Sequence, residues 1–221
     1  MNSVKRSAQG RPKSTEKQHQ VLVAASCLFL TNGFSGTSMD NVAKKAGVSK
    51  QTVYSHYKNK DALYSAVIEF KVREYQLDEE HVRELGADIK AVLTMLGRQF
   101  VQLLHDEEVI SMYRVVIGEV STNPHVAELF FNAGPKQAMQ MLARYLVEYC
   151  PSMEQEDARY CSMVFFNLLK GEHHMKSLMG LPGAMSKSEQ MLFVDKIINS
   201  YRIMLVQFIP DEQLATSFNS N

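Results

Sequence analysis

Between Thr37 and Lys60 the chain reads TSMDNVAKKAGVSKQTVYSHYKNK, a run suited to two short helices set at a steep angle across a tight turn. Ser38 is placed to cap the first helix. Its apolar residues Met39, Val42, Ala43 and Ala46 recur at i, i+3, i+4 and i+7 and so share one face. Gly47 can take the left-handed conformation that closes a helix, and only Val48 and Ser49 separate it from the restart. Ser49 is the next N-cap, with Val48 before it and Val53 four residues after it at the positions of a hydrophobic staple. Turning Val53 inward leaves Lys50, Gln51, Thr52, Tyr54, His56 and Lys58 outside, all able to donate hydrogen bonds to phosphates or base edges. No acid occurs between Lys44 and Lys60. The spacing is that of a helix-turn-helix, and the outer face has the chemistry to meet double-stranded DNA.

A division of labour follows from position along the second helix. Lys50, Gln51 and Thr52 occupy its first turn, the end that a helix-turn-helix points at base edges. Tyr54, His56, Tyr57 and Lys60 lie further on, where hydroxyl, imidazole and ammonium groups can hold phosphates without reading sequence. Thr37, Ser38 and Ser49, at the two helix starts, complete the expected DNA-binding set. Tyr57 follows Val53 by one helical turn and is also a candidate core residue. Residues 1–14 read as a basic flexible arm, whose Arg11 and Lys13 suit either a minor groove or a solubilising tail.

Charge is distributed to match. Residues 1–75 hold 12 Lys and Arg against 5 Asp and Glu, a net of +7, while residues 76–221 hold 12 against 19, a net of −7. A basic end attracts a polyanion and an acidic remainder is repelled by it, which orients such a molecule on DNA.

The stretch GFSGTSMDNVAKKAGVSKQTVYSHYKNKDALYSAV resembles the N-terminal domain of TetR-type transcriptional regulators. Gly33, Phe34, Thr37, Ala43, Ala46, Gly47, Val48, Tyr54, Tyr57, Lys60 and Leu63 stand at positions that pattern favours; HYK at His56–Lys58 is a mild departure from the commoner HF. Further on, YRVVIGEVSTNPHVAELFFNAGP and LLKGEHHMKSLMG resemble the C-terminal domain of the AefR-like branch, with Arg114, Glu119, Pro124, Gly134, Pro135, Gly171 and Gly180 at comparable places. The resemblance implies an all-α protein: a helix-turn-helix domain supported by a first helix, then a larger helical domain for effector binding and dimerisation. It also implies a dimer built from the last two helices, with Ile198, Tyr201 and Leu205 as the expected interface.

The expected division is a helix-turn-helix domain over 15–75 and a helical domain over 76–221. Val21, Leu22, Ala25, Leu28 and Phe29 mark one face of a first helix that stops at Gly33, and Asn59 can cap a fourth. The second domain reads as five or six helices: about Asp88–Leu104, about Glu107–Ser121, two opened by Pro124 and Pro135, about Glu154–Met179 and about Ser188–Ile209. The Glu107–Ser121 segment is apolar on nearly every side, so it is expected at the centre.

Thirteen methionines with abundant Phe and Tyr suit either an adaptable apolar pocket or plain core. The candidate effector-binding residues are Phe100, Tyr113, Ile117, Met163, Phe166 and His173. Cys27, Cys150 and Cys161 lack CxxC spacing and read as buried free thiols, a redox pair of the last two being the alternative. No HExxH, Walker loop, GxSxG or GxGxxG occurs, so the sequence points away from an enzyme and calls for no cofactor. His173 and His174 are adjacent and cannot both face one metal ion on a regular helix. No apolar run reaches membrane-spanning length, and the first residues lack the apolar core of a signal peptide, so the expected location is the cytoplasm. The expected partners are therefore an operator DNA, a second copy of the chain and a small apolar or amphipathic effector that releases a repressor. A ligand-independent DNA-binding adaptor and a metal-dependent enzyme are the alternatives.

Overall fold

The computed structural model describes the backbone of residues 12–218 and the side chains of residues 15–218. Every regular element among them is an α-helix: α1 (Pro12–Asn32), α2 (Met39–Ala46), α3 (Lys50–His56), α4 (Lys60–Glu74), α5 (Glu79–Leu85), α6 (Ile89–Leu104), α7 (Glu107–Glu119), α8 (Pro124–Ala133), α9 (Pro135–Tyr149), α10 (Gln155–Leu178), α11 (Lys187–Leu205) and α12 (Asp211–Phe218). None is long and apolar enough to cross a membrane. The helices fall into two compact units, Met1–Val67 and Ile68–Asn221.

In the first unit, α1 lays Val21, Ala25 and Phe29 against Val42 of α2, Val53 of α3 and Leu63 of α4, all inaccessible to solvent. Phe29, Phe34 and Tyr64 form a compact aromatic group, with Tyr64 edge-on to both phenyl rings at 5.0 and 5.4 Å. Such edge-to-face pairs add to what area burial alone supplies.

The boundary falls inside α4, earlier than the expected break after residue 75. Packing explains this. Ile68 and Val72 press on Gly134, where an added Cβ would come within 3.1 Å of Ile68. Lys71 Nζ meets Asp106 and Glu108 at 3.1 and 3.0 Å, and Tyr75 donates to Asp106 at 2.6 Å. Burial works against the charge on Lys71, yet these acids and Glu74 hold its pKa above the ordinary lysine value. The second half of α4 thus belongs to the second unit.

That unit is organised around α6, which buries Ile89, Val92, Leu93, Leu96, Val101 and Leu104. Gly97 lets α11 approach closely: a Cβ there would stand 2.8 Å from Val194. Among the described residues eight helices begin after residue 75, where five or six were expected; α5 and α12 are each under nine residues and too short for periodicity to register. α7 is not central. Ile117 is 58% and Val120 45% exposed, so apolar residues all round a helix did not place it at the core.

The three expected interface residues are also corrected. Ile198, Tyr201 and Leu205 are buried in the core of their own unit, and Tyr201 donates to the Cys161 carbonyl at 2.9 Å. They form the inward stripe of α11, and periodicity cannot distinguish that face from one covered by a second subunit. Cys27 is exposed rather than buried; Cys150 and Cys161 are buried free thiols. Burial pushes the Cys161 thiol up to about 11, which disfavours the thiolate a redox sensor needs.

Candidate nucleic-acid interface and effector cavity

Local capping builds the helix-turn-helix. Ser38 Oγ accepts from the Asn41 amide at 3.1 Å and opens α2. Gly47 closes it at φ 66°, ψ 30°, its N–H donating to the Ala43 and Lys44 carbonyls. Ser49 Oγ then accepts from the Thr52 amide at 3.1 Å, and only Val48 and Ser49 separate Gly47 from the start of α3. A glycine and two serines thus fix where α2 ends and α3 begins.

Val53 points inward, leaving Lys50, Gln51 and Tyr54 exposed and Thr52 and His56 half-buried. Gln51 and Tyr54 therefore present an amide and a hydroxyl outward from positions three residues apart on the reading helix. Lys50 is engaged: its Nζ lies 2.5 Å from Asp40 Oδ2. Asp40 sits on α2, ten residues back, so an acid-free stretch of sequence did not make an acid-free surface. Both side chains are more than half exposed, and a pair of this kind is worth little in water and is open to exchange for a phosphate.

Other expected DNA contacts are otherwise occupied. Thr37 is 2% exposed and donates to the Gly33 carbonyl at 2.8 Å, which makes it a brace inside the unit. Ser38 and Ser49 remain at the surface but spend their oxygens on caps. Tyr57 is buried, so its ring belongs to the core, as its spacing from Val53 allowed. Lys60 Nζ donates to the Phe34 carbonyl at 2.8 Å and lies over the Phe34 ring. Arg11 and the side chain of Lys13 lie outside the described residues.

In the second unit, four of the six expected effector residues come together. Phe100 of α6, Tyr113 of α7, and Met163 and Phe166 of α10 line one cavity of about 280 Å³. Phe100 and Phe166 meet edge-on at 4.8 Å. Ile117 is turned to solvent and does not line it. Neither does His173, whose ring packs against Phe193 and whose Nδ1 lies 3.2 Å from the Gly183 carbonyl. Its neighbour His174 is the buried one, 5.0 Å edge-on from Tyr113. Desolvation first, then the charges of Lys170 and His105, depress the His174 pKa to about 4.

Sequence reading missed Asn167 and Lys170, which also line the cavity. The signal was present: Met163, Phe166, Asn167 and Lys170 run i, i+3, i+4, i+7 along α10. Phe131 of α8 and Pro135, Ala138 and Met139 of α9, equally absent from the expected set, complete the lining. Immediately after Lys170 the helix breaks at Gly171, φ 51° and ψ −167°, a conformation open to glycine alone at little cost. Beyond the break, Arg114 of α7 caps the end of α10, donating to the Ser177 and Leu178 carbonyls at 2.6 and 3.1 Å. Among the described residues, no three His, Cys, Asp or Glu side chains are grouped to hold a metal ion.

A capped helix-turn-helix with a polar outer face, joined to a helical unit with an apolar cavity, defines a DNA-binding regulator of two units. Comparison with known proteins narrows the class. Residues 21–67 match the profile of bacterial regulatory proteins of the tetR family, and residues 91–203 match that of the AefR-like transcriptional repressor C-terminal domain. The chain belongs to the TetR family of transcriptional regulators, in its AefR-like branch.

Among curated relatives, the transcriptional activator FasR of Mycolicibacterium smegmatis is 43% identical over 54 residues, 24% of this chain and 25% of its own length. The regulator AcrR of Shigella flexneri is 31% identical over 81 residues, 37% of this chain and 34% of its own. The chain thus aligns with about a quarter to a third of these two relatives. Solved structures match more broadly. A TetR-family regulator from Mesorhizobium loti superposes with a TM-score of 0.67 at 23% identity, covering 89% of this chain and 98% of that one. The flavonoid-responsive regulator FrrA gives 0.64 at 27% identity over the same shares. FadR of Bacillus subtilis, in complex with stearoyl-CoA, gives 0.60 at 19%, covering 83% and 97%.

Proposed function

We propose that the protein is a homodimeric repressor that leaves its operator when a small apolar or amphipathic molecule occupies the second unit. The observation that carries the reading is the outer face of α3, where Gln51 and Tyr54 stand exposed on a helix held by caps at both sides of the turn. One such helix makes few base contacts, so useful specificity needs two half-sites a helical turn or more apart, and hence two subunits.

The effector half rests on the cavity of the second unit. An apolar cleft with a few polar groups is the form that small-molecule sites take. FrrA is described as flavonoid-responsive and FadR was solved with stearoyl-CoA, which supports a small-molecule effector here without naming it. α4 contributes residues to both units. A ligand that binds one placement of α4 better than another would shift the population away from the placement that fits adjacent major grooves.

Selection of bound fragments from a random DNA library, followed by titration of the complex with apolar compounds, tests both halves. The expected result is a two-fold symmetric site whose affinity falls about ten-fold or more with any compound that also raises the protein's thermal stability. Binding to a defined site that no such compound alters would favour the ligand-independent adaptor instead.

A further inference from the structure

The cavity of the second unit has one charged wall. Its other side chains include Phe100, Tyr113, Met139, Met163 and Phe166, and the charge is the ammonium of Lys170. Lys170 is half-buried and makes no hydrogen bond or ion pair among the described residues. Elsewhere in this unit, Lys71 meets three carboxylates and Lys176 is paired with Glu172 at 3.0 Å. A lysine withdrawn from water with no counter-ion is costly, and burial duly lowers its pKa.

The groups around it lack negative charge as well. Asn167 and Tyr113 line the same cavity and offer an amide and a hydroxyl, both neutral donors. His174, packed on Tyr113, is 6% exposed, and its Nδ1 has no hydrogen-bond partner among the described residues. The helix break at Gly171 fixes where the chain turns away, directly after Lys170; a Cβ at Gly171 would stand 3.2 Å from Phe193, so the kink is also sterically confined.

Building on the cavity reading above, we propose that the effector is a compact apolar monocarboxylate whose carboxylate pairs with Lys170 while its hydrocarbon or aromatic body lies among Phe100, Met163 and Phe166. A carboxylate supplies the counter-ion that the chain itself withholds, and in a desolvated setting such a charge-assisted hydrogen bond is about twice as strong as a neutral one. A cation would be repelled, and a neutral alcohol would leave the ammonium unpaired. Size is a guide: about 280 Å³ lies at the lower edge of cavities that hold drug-sized ligands. A single ring or a chain of medium length matches that volume.

Calorimetric titration of the full chain with octanoate and cinnamate, against octanol, cinnamyl alcohol and octylamine, tests this. Each acid should bind about ten-fold or more tighter than its alcohol, and the amine should bind more weakly than either. Lys170→Met should bring acid and alcohol to the same affinity while alcohol binding persists, and Lys170→Arg should keep the preference for the acid. Alcohols that bind as well as the acids, or a preference that survives Lys170→Met, overturn the carboxylate assignment and leave the cavity reading standing. Failure of every probe to bind overturns both.

Discussion

Lys60 Nζ donates to the Phe34 carbonyl at 2.8 Å and lies 4.2 Å from the centroid of the same residue's ring. The start of α4 is thereby tied to the loop that follows α1. A phosphate contact from Lys60 would have to give up a hydrogen bond and a cation–π contact. Lys60→Ala should therefore destabilise the first unit by about 1–2 kcal/mol, beyond any loss in DNA affinity. Urea denaturation without DNA separates the two. An unchanged midpoint would return Lys60 to a purely phosphate-holding role.

Sequence preference should reside in Gln51. Gln51→Ala is expected to relax preference at one base pair per half-site, at about 1–3 kcal/mol. Asp40→Asn should act differently, releasing Lys50 from its ion pair and tightening binding to operator and scrambled DNA alike. The salt slope should then steepen by about one unit per subunit. Binding across a salt series, on both DNAs, distinguishes reading from positioning; a change of preferred sequence in Asp40→Asn would contradict this division.

Dimerisation should depend on residues that the single chain leaves outside. Tyr160 and Leu168 lie two turns apart on one face of α10 and are 50% and 37% exposed. Leu192 and Ile203 on α11 are 62% and 71% exposed, on the side away from buried Ile198 and Leu205. Ile203→Glu is expected to yield monomers by light scattering. Tyr201→Phe should stay dimeric but lose about 1 kcal/mol with the buried hydrogen bond to the Cys161 carbonyl. Monomers from the second and dimers from the first would reverse the assignment.

His174 should make stability fall in mild acid. Its pKa is depressed in the folded chain from 6.5 to about 4, so the unfolded chain binds the extra proton between those values. The contribution is whole above the unfolded pKa and is lost as pH falls toward the folded one, amounting to roughly 2 kcal/mol between pH 7 and 5. His81 works in the opposite sense, since its hydrogen bond to Asp78 raises its pKa. Denaturation at several pH values should show a shallower dependence in His174→Gln than in the parent. An identical slope would mean that His174 stays neutral or charged alike in both states.

What lies within a few residues was legible from sequence. Ser38, Gly47 and Ser49 set the helix ends through their own backbone and hydroxyls, so local chemistry alone delivered the helix-turn-helix and the inward turn of Val53. The stripe from Val194 to Leu205 was likewise readable as apolar. What covers that stripe was not, because its partners on α6 and α10 are distant in sequence and only their packing separates core from interface. The same holds for Asp40, which reaches Lys50 across the turn, and for Thr37 and Tyr57, which the tertiary fold buries. It holds most of all for Lys170. A lysine in a linear sequence is solvated by default, and only the cavity walls contributed by five helices determine that this one is half-buried without gaining a counter-ion.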